Sequence, residues 1–282
     1  TLRWGIGLRD EFSVGLYHLE TDGRPIYNHP WVISNGQIQP TLPARNFYGL
    51  ASDHLRTQTD FLTLGHLHRF NHDSQLKTTL RHGHYERDLW ASTVAFCNGS
   101  ASGSANALAQ QAACPGQAAV TSLGQINPGT VLYRSPKGRS GSSDLTQLQT
   151  ELSQGFEALG KRHVLIAGAE FFQEDAKRNT NTASGYNYYG STSSPSPIYT
   201  TTVGTPNDGE SWSGPGTVAL NSFRTQSLGL YAQDTVSLSQ TLKLLGGLRL
   251  DNFKGSYRGA TSGEFSLDQT LLSQRLGLIH QP

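Results

Sequence analysis

The sequence predicts an all-β chain, an antiparallel transmembrane β-barrel of which about nine strands are present. Three observations carry that expectation. Apolar and polar residues alternate with period two over runs of about ten residues, the length that crosses a bilayer when tilted. No amphipathic helical stretch is offered to cover an apolar sheet face. Connections between the runs alternate short and long along the chain, as they do when turns gather at one rim of a barrel and loops at the other. A soluble β-sandwich ligand-binding module, secreted from the cell, is the alternative. Its strands usually run to roughly five or six residues, and it has no reason to segregate its connections.

The clearest alternation lies between Thr225 and Lys254. Leu228, Leu230, Ala232, Asp234, Val236 and Leu238 share one face, with Ser227, Gly229, Tyr231, Gln233, Thr235 and Ser237 on the other. After the Ser239-Gln240 step, Leu242, Leu244, Gly246, Leu248 and Leu250 oppose Lys243, Leu245, Gly247, Arg249 and Asp251. So short a step forces an antiparallel hairpin. If Leu244 lies near the bilayer midplane, Leu244→Arg is expected to cost roughly 2–4 kcal/mol, and Gln233→Arg much less.

From the beginning, Leu2 to Arg9 and Phe12 to Glu20 read as strands around a turn near Asp10, and a proline-bearing loop then runs to about Gln58. Asp60 to Phe70 and Gln75 to Trp90 form the next hairpin around Asn71-His72-Asp73-Ser74. Ala91 to about Asp144, rich in Gly, Ala, Ser and Gln, reads as a long loop. Leu145 to Ala158 and His163 to about Ala176 follow as strands, the second with Leu165, Ala167, Ala169 and Phe171 outward and Gly168, Glu170 and Glu174 inward. A third long loop spans Lys177 to Arg224, and a medium one, Gly255 to Leu267, precedes a last strand near Leu271 to His280. An odd strand count leaves two open edges, so flanking strands are expected beyond this chain.

Composition agrees. The 282 residues include 31 Gly, 11 Tyr and 11 Phe, and no apolar run approaches the length of a membrane helix. A net charge of +1 with scattered basic residues gives no reason to expect nucleic acid. With no Met in the chain, Thr1 is not read as a translation start, and a processed chain or fragment without its signal peptide is expected. Cys97 and Cys114 lie in one Gly/Ala/Ser-rich segment. A disulfide is expected there, because a loop outside the cell or in the periplasm is oxidised.

Gly229 to Gly255 resembles the barrel signature of TonB-dependent siderophore receptors, a Tyr-x-Gln-Asp element before a Gly-Gly-x-Arg-x-Asp strand. Tyr231, Gln233, Asp234, Gly246, Gly247, Arg249 and Asp251 match it. Arg24 to Tyr27 with Asn46 to Gly49, Leu76 to Asp88, Leu165 to Asp175 and Leu272 to Pro282 are similar to the same family, catecholate-type receptors above all. The resemblance implies a bacterial outer-membrane barrel of about 22 strands, with short periplasmic turns, long extracellular loops and an N-terminal plug. It implies import of ferric siderophores, energised by the TonB complex through that plug. Residues 1–282 would then be part of the barrel domain, without plug, signal peptide or C-terminal strands. The siderophore is cargo, so no resident cofactor is expected.

The sequence holds no GxSxG, HExxH, P-loop or CxxC motif, and a transporter rather than an enzyme is expected. His66 and His68 share a face, as do His82 and His84 on the neighbouring strand. Metal binding is one reading, and hydrated lumen or rim positions are the simpler one. Gln233, Lys243, Arg249, Asp251, Glu170 and Glu174 are expected on the lumen, either against the plug or as solvated cross-strand pairs. A ferric catecholate is a bulky anion with aromatic rings, so cations and aromatic faces on the outer loops would hold it. Candidates are Tyr27, Trp31 and Arg45 in the first long loop, Arg134, Lys137 and Arg139 in the second, and Tyr186, Tyr188, Tyr189 and Trp212 in the third.

Overall fold

The computed structural model describes residues 1–25, 29–100, 102, 110–179, 199–211, 220–259 and 263–281, the side chains of 135–137, 179 and 220 excepted. The elements are β1 (Leu2–Trp4), β2 (Asp10–Gly23), β3 (Trp31–Ser34), β4 (Gln37–Pro40), β5 (His54–Asn71), β6 (Ser74–Phe96), β7 (Val131–Ala158), β8 (Lys161–Asn179), β9 (Tyr199–Thr202), β10 (Leu220–Ser237), β11 (Leu242–Gly259) and β12 (Gly263–His280). One antiparallel sheet runs in the order β1-β2-β5-β6-β7-β8-β10-β11-β12, the nine strands that alternation predicts, with β9 paired to β7 and β3–β4 as a separate hairpin. Its described edges are β1–β2 and β12. Among the described residues, no helix is long and apolar enough to cross a membrane.

The register makes the leucine stripe continuous. Leu2, Val14, Leu64, Leu80, Leu148, Phe171 and Leu228 stand side by side across seven strands, and Leu230, Leu250 and Leu272 extend a parallel row. These side chains are bare: Leu228 and Leu230 are half exposed and Leu276 is 82% exposed. Among the described residues no second sheet covers them, which removes the sandwich alternative. Leaving a leucine in water forgoes roughly 1.5–3 kcal/mol, a penalty that hydrocarbon removes. The polar face, bearing Gly229 and Thr225 as buried positions, is the less exposed one, as the concave side of a curved sheet is.

The strand ends joined at Gly5–Arg9, residues 72–73, 159–160 and 238–241 lie on one rim, and the strand ends at Gly23, His54, Phe96, Val131, Asn179 and Leu220 on the other. Strand ends depart from the sequence expectation in a consistent way. β6 runs past Trp90 to Phe96, β7 begins at Val131 rather than Leu145, and β11 and β12 take up most of the expected loop between Gly255 and Leu267. Above the leucine belt the faces no longer divide lipid from water, since Ala91, Val94 and Leu132 are buried while Arg87 and Arg139 are exposed, so the alternation fades while backbone pairing, such as Asp88 with Ser140, continues. β1 is shorter than the expected Leu2 to Arg9, because Gly5 and Gly7 turn the chain with φ of 69° and 79°.

The histidine pairs do not line the interior. His66 and His68 share the outward face with Leu62 and Leu64, and His82 stands opposite Leu62. Period two from those leucines dictates this facing. His66 and His68 lie toward the short-connection rim, whereas His82 and His84 lie toward the long-loop rim.

Candidate functional site

The interior wall is built where β7, β8, β10 and β11 present their polar faces. Glu151, Gly168, Tyr231 and Arg249 occupy one transverse row, and Gln149, Glu170, Gly229 and Asp251 the next. The Tyr231 hydroxyl donates to Glu151 Oε2 at 2.8 Å and accepts from Gln149 Nε2 at 3.2 Å. Arg249 Nε donates to both Asp251 oxygens at 2.9 Å, and Nη2 donates to Glu170 Oε2 at 3.1 Å. Gln147 Nε2 donates to Glu170 Oε1 at 2.7 Å. The glycines make room for this network. A Cβ at Gly168 would stand 2.6 Å from the Tyr231 ring, and one at Gly229 would stand 2.7 Å from Asp251 Oδ1.

The structure thus joins Glu170, Arg249 and Asp251, three of the lumenal residues expected from sequence. Gln233 and Lys243 share their face, and Glu174, two residues beyond Phe172, accepts from Ser143 Oγ at 2.7 Å. Asp234 faces outward, on the leucine face where the alternation puts it, and pairs with His163 Nδ1 at 2.6 Å. Glu170 and Asp251 hold the Arg249 guanidinium and Glu151 holds the Tyr231 hydroxyl, so carboxylates predominate in the middle of this wall.

Toward the long-loop rim the same face changes sign. The Arg81 guanidinium lies 4.0 Å over the Phe61 ring and donates to the Tyr85 hydroxyl at 3.2 Å, while Tyr17 stacks on Phe61 at 4.7 Å. Further out, exposed Arg87, Arg139 and Arg178 share this face. Among the described strand residues no carboxylate on this face lies beyond Glu174. The sequence reading sought ligand contacts in the loops and missed Tyr17, Phe61, Arg81 and Tyr85. The signal was present, since all four stand at positions facing away from the leucines.

The loops expected to bind ligand are partly structural. Arg134 is fully buried, which corrects its placement in an open vestibule. Its Nη1 donates to Asp208 Oδ1 at 2.9 Å and Gly49 O at 3.2 Å. Its Nη2 donates to Asp208 Oδ2 at 2.7 Å, Thr200 O at 2.6 Å and the Glu210 carboxylate. Burial opposes ionisation of Asp208, but the bonds from Arg134, the Glu210 N–H and Thr201 outweigh it and hold the carboxyl below its usual range. Beside this cluster Leu42, Tyr48, Val94 and Leu132 form the apolar core. Burial pushes the Asp53 carboxyl up, although Ser92 N–H and Oγ both donate to it at 2.9 Å.

Of the remaining loop candidates, Trp31 and Arg45 are exposed. Tyr27, Tyr186, Tyr188, Tyr189 and Trp212 lie outside the described residues, as does the Lys137 side chain.

Cys97 and Cys114 are joined in a disulfide. The Gln117 side chain reinforces it, with Nε2 donating to Cys97 O at 2.7 Å and Val131 O at 2.9 Å. Replacing both cysteines by Ser is expected to destabilise this loop by about 3 kcal/mol, measured as faster limited proteolysis near residue 110. In the parent protein neither thiol should alkylate before reduction; alkylation without reductant would refute the bond.

The sequence and fold were compared with those of characterised proteins. The family model described as TonB dependent receptor-like, beta-barrel matches residues 4–282. The catecholate siderophore receptor Fiu of Escherichia coli O157:H7 is 22% identical over 276 residues, covering 93% of this chain and 32% of that protein. The chain therefore spans about a third of the length of such curated relatives. The crystal structure of the ferric-catecholate import receptor Fiu from E. coli K12 superposes with a TM-score of 0.70 at 18% identity, covering 99% of this chain and 43% of that one. The ferripyoverdine receptor of Pseudomonas aeruginosa gives 0.65 at 16% identity, over 97% of this chain and 32% of its own. With the family model matching nearly the whole length of this antiparallel sheet, the chain belongs to the TonB dependent receptor-like β-barrel family.

Proposed function

We propose that the chain forms part of the barrel of a bacterial outer-membrane transporter that imports a ferric siderophore, a ferric catecholate in the first instance. The short-connection rim then faces the periplasm and the long loops face outward. The observation that carries this reading is the change of sign along the interior. Arg81, Arg87 and Arg139, with Tyr17, Phe61 and Tyr85, offer cations and aromatic faces at the outer end, beside Arg178, which pairs with Glu174 at 3.5 Å; these are the two things an anionic catecholate needs. Deeper in, Glu151, Glu170 and Asp251 would repel such an anion. That wall suits contact with a plug through which the TonB complex delivers energy. Arg134, held by its own carboxylates, has no part in recognition.

The test is uptake by iron-starved cells that depend on this protein, offered a panel of ferric catecholates, hydroxamates and citrate. A ferric catecholate is expected to be taken up, and the double change Arg87→Glu with Arg139→Glu to slow uptake at least about tenfold through lost electrostatic steering. Uptake of none of the chelates, or uptake indifferent to the charge reversal, would end this reading.

A further inference from the structure

We propose that Asp10, His66 and His68 form a zinc site on the outward face at the short-connection rim, tying β2 to β5. Asp10 is the first residue of β2 and stands directly opposite His68, with His66 two residues before His68 in β5 on the same face. Both imidazoles converge on a single carboxylate oxygen: Asp10 Oδ1 lies 2.9 Å from His66 Nε2 and 2.6 Å from His68 Nδ1. The three ligand atoms all fall within 4.8 Å of one another.

Neighbouring rings hold the histidines in this pose. Phe12 stacks on His66 at 4.6 Å with the planes 9° apart, and Phe70 meets His68 edge-on at 4.6 Å. Donors around tetrahedral zinc sit about 3.3 Å apart, given metal–nitrogen distances near 2.0–2.1 Å. These two spacings would therefore need to open by less than about 1 Å. Two imidazoles and one carboxylate suit a borderline cation such as Zn²⁺ far better than Ca²⁺ or Mg²⁺, which take oxygen ligands.

Three protein ligands leave one coordination position for water or an outside donor. The ligands are reachable, with side-chain exposures of 43% for Asp10, 39% for His66 and 20% for His68. A metal here would clamp two adjacent strands just above the Gly5–Arg9 turn, where β1 is only three residues long. The site stands independently of what the barrel carries, so the transport experiment and this one can fail separately.

The test uses the protein at its full encoded length in detergent micelles, stripped with a chelator that is then removed, and titrated calorimetrically with Zn²⁺. One equivalent is expected to bind. Asp10→Asn and His68→Ala should each weaken that equivalent at least about tenfold, whereas His82→Ala should leave it intact. Heat-modifiable gel mobility reports whether each variant is folded. Should the variants not fold, Co²⁺ added to the unaltered protein provides a second readout, with intense visible absorption expected from a four-coordinate nitrogen-ligated ion. Binding of no equivalent, its full retention in the folded variants, or a Co²⁺ spectrum of the hydrated ion would overturn the proposal.

Discussion

Leu230→Arg is expected to cost about 2–4 kcal/mol of barrel stability, the largest effect of any single change on the outward face. Leu230 sits near the middle of β10, between Ala169 of β8 and Leu250 of β11, and about half of it is exposed. A guanidinium there must enter hydrocarbon or drag water inward. Gln233→Arg, three residues away on the interior face opposite Gly247, should stay within about 0.5 kcal/mol because its neighbours are already hydrated. Leu244, the residue singled out by sequence, lies only two positions inside the start of β11. Charge tolerance near an interface brings Leu244→Arg down to about 0–1 kcal/mol. Urea unfolding of the full-length protein in lipid, followed by heat-modifiable mobility, measures all three. Equal costs at 230 and 233 would mean that the leucine belt does not meet lipid.

Arg134→Met should loosen the outer loops by roughly 3 kcal/mol while leaving the barrel folded. Removing one partner of a buried charge cluster leaves the others uncompensated, typically at 3–5 kcal/mol, and the lower end applies because Asp208 and Glu210 retain 23% and 41% exposure. Arg134 also ties three chain segments together, bonding to Gly49 O and Thr200 O from β7. Hydrogen exchange of residues 47–53 and 199–210 should accelerate about a hundredfold, the conversion of that energy. Trp31→Ala, on the exposed β3 hairpin, should change exchange little. Unaltered exchange in Arg134→Met, with weaker chelate uptake instead, would return Arg134 to the ligand-binding set.

Much of the interior was legible before any fold was known. Because the strand period is two, the leucines at 228, 230, 248 and 250 fixed the facing of Tyr231, Arg249 and Asp251, and the same rule would have placed Tyr17, Phe61, Arg81 and Tyr85. What alternation could not give was partnership between strands distant in the chain. That Glu151 of β7 meets Tyr231 of β10 is a matter of register across β8. Outside the leucine belt the signal failed for a different reason: loop residues such as Leu42 and Tyr48 cover part of β6 and β7 and water wets other positions, so pairing rather than a period-two pattern sets where β6, β7, β11 and β12 end.

By itself, then, the sequence determined the alternating faces, the nine-strand path and the segregation of short from long connections, because each is written in local spacing. Only the tertiary structure decided that Arg134 is a buried tie, that the interior changes sign along its length, and that Asp10 meets His66 and His68. Those outcomes depend on which strands lie side by side and on how far each is shifted along its neighbour, and no local pattern of residues encodes that.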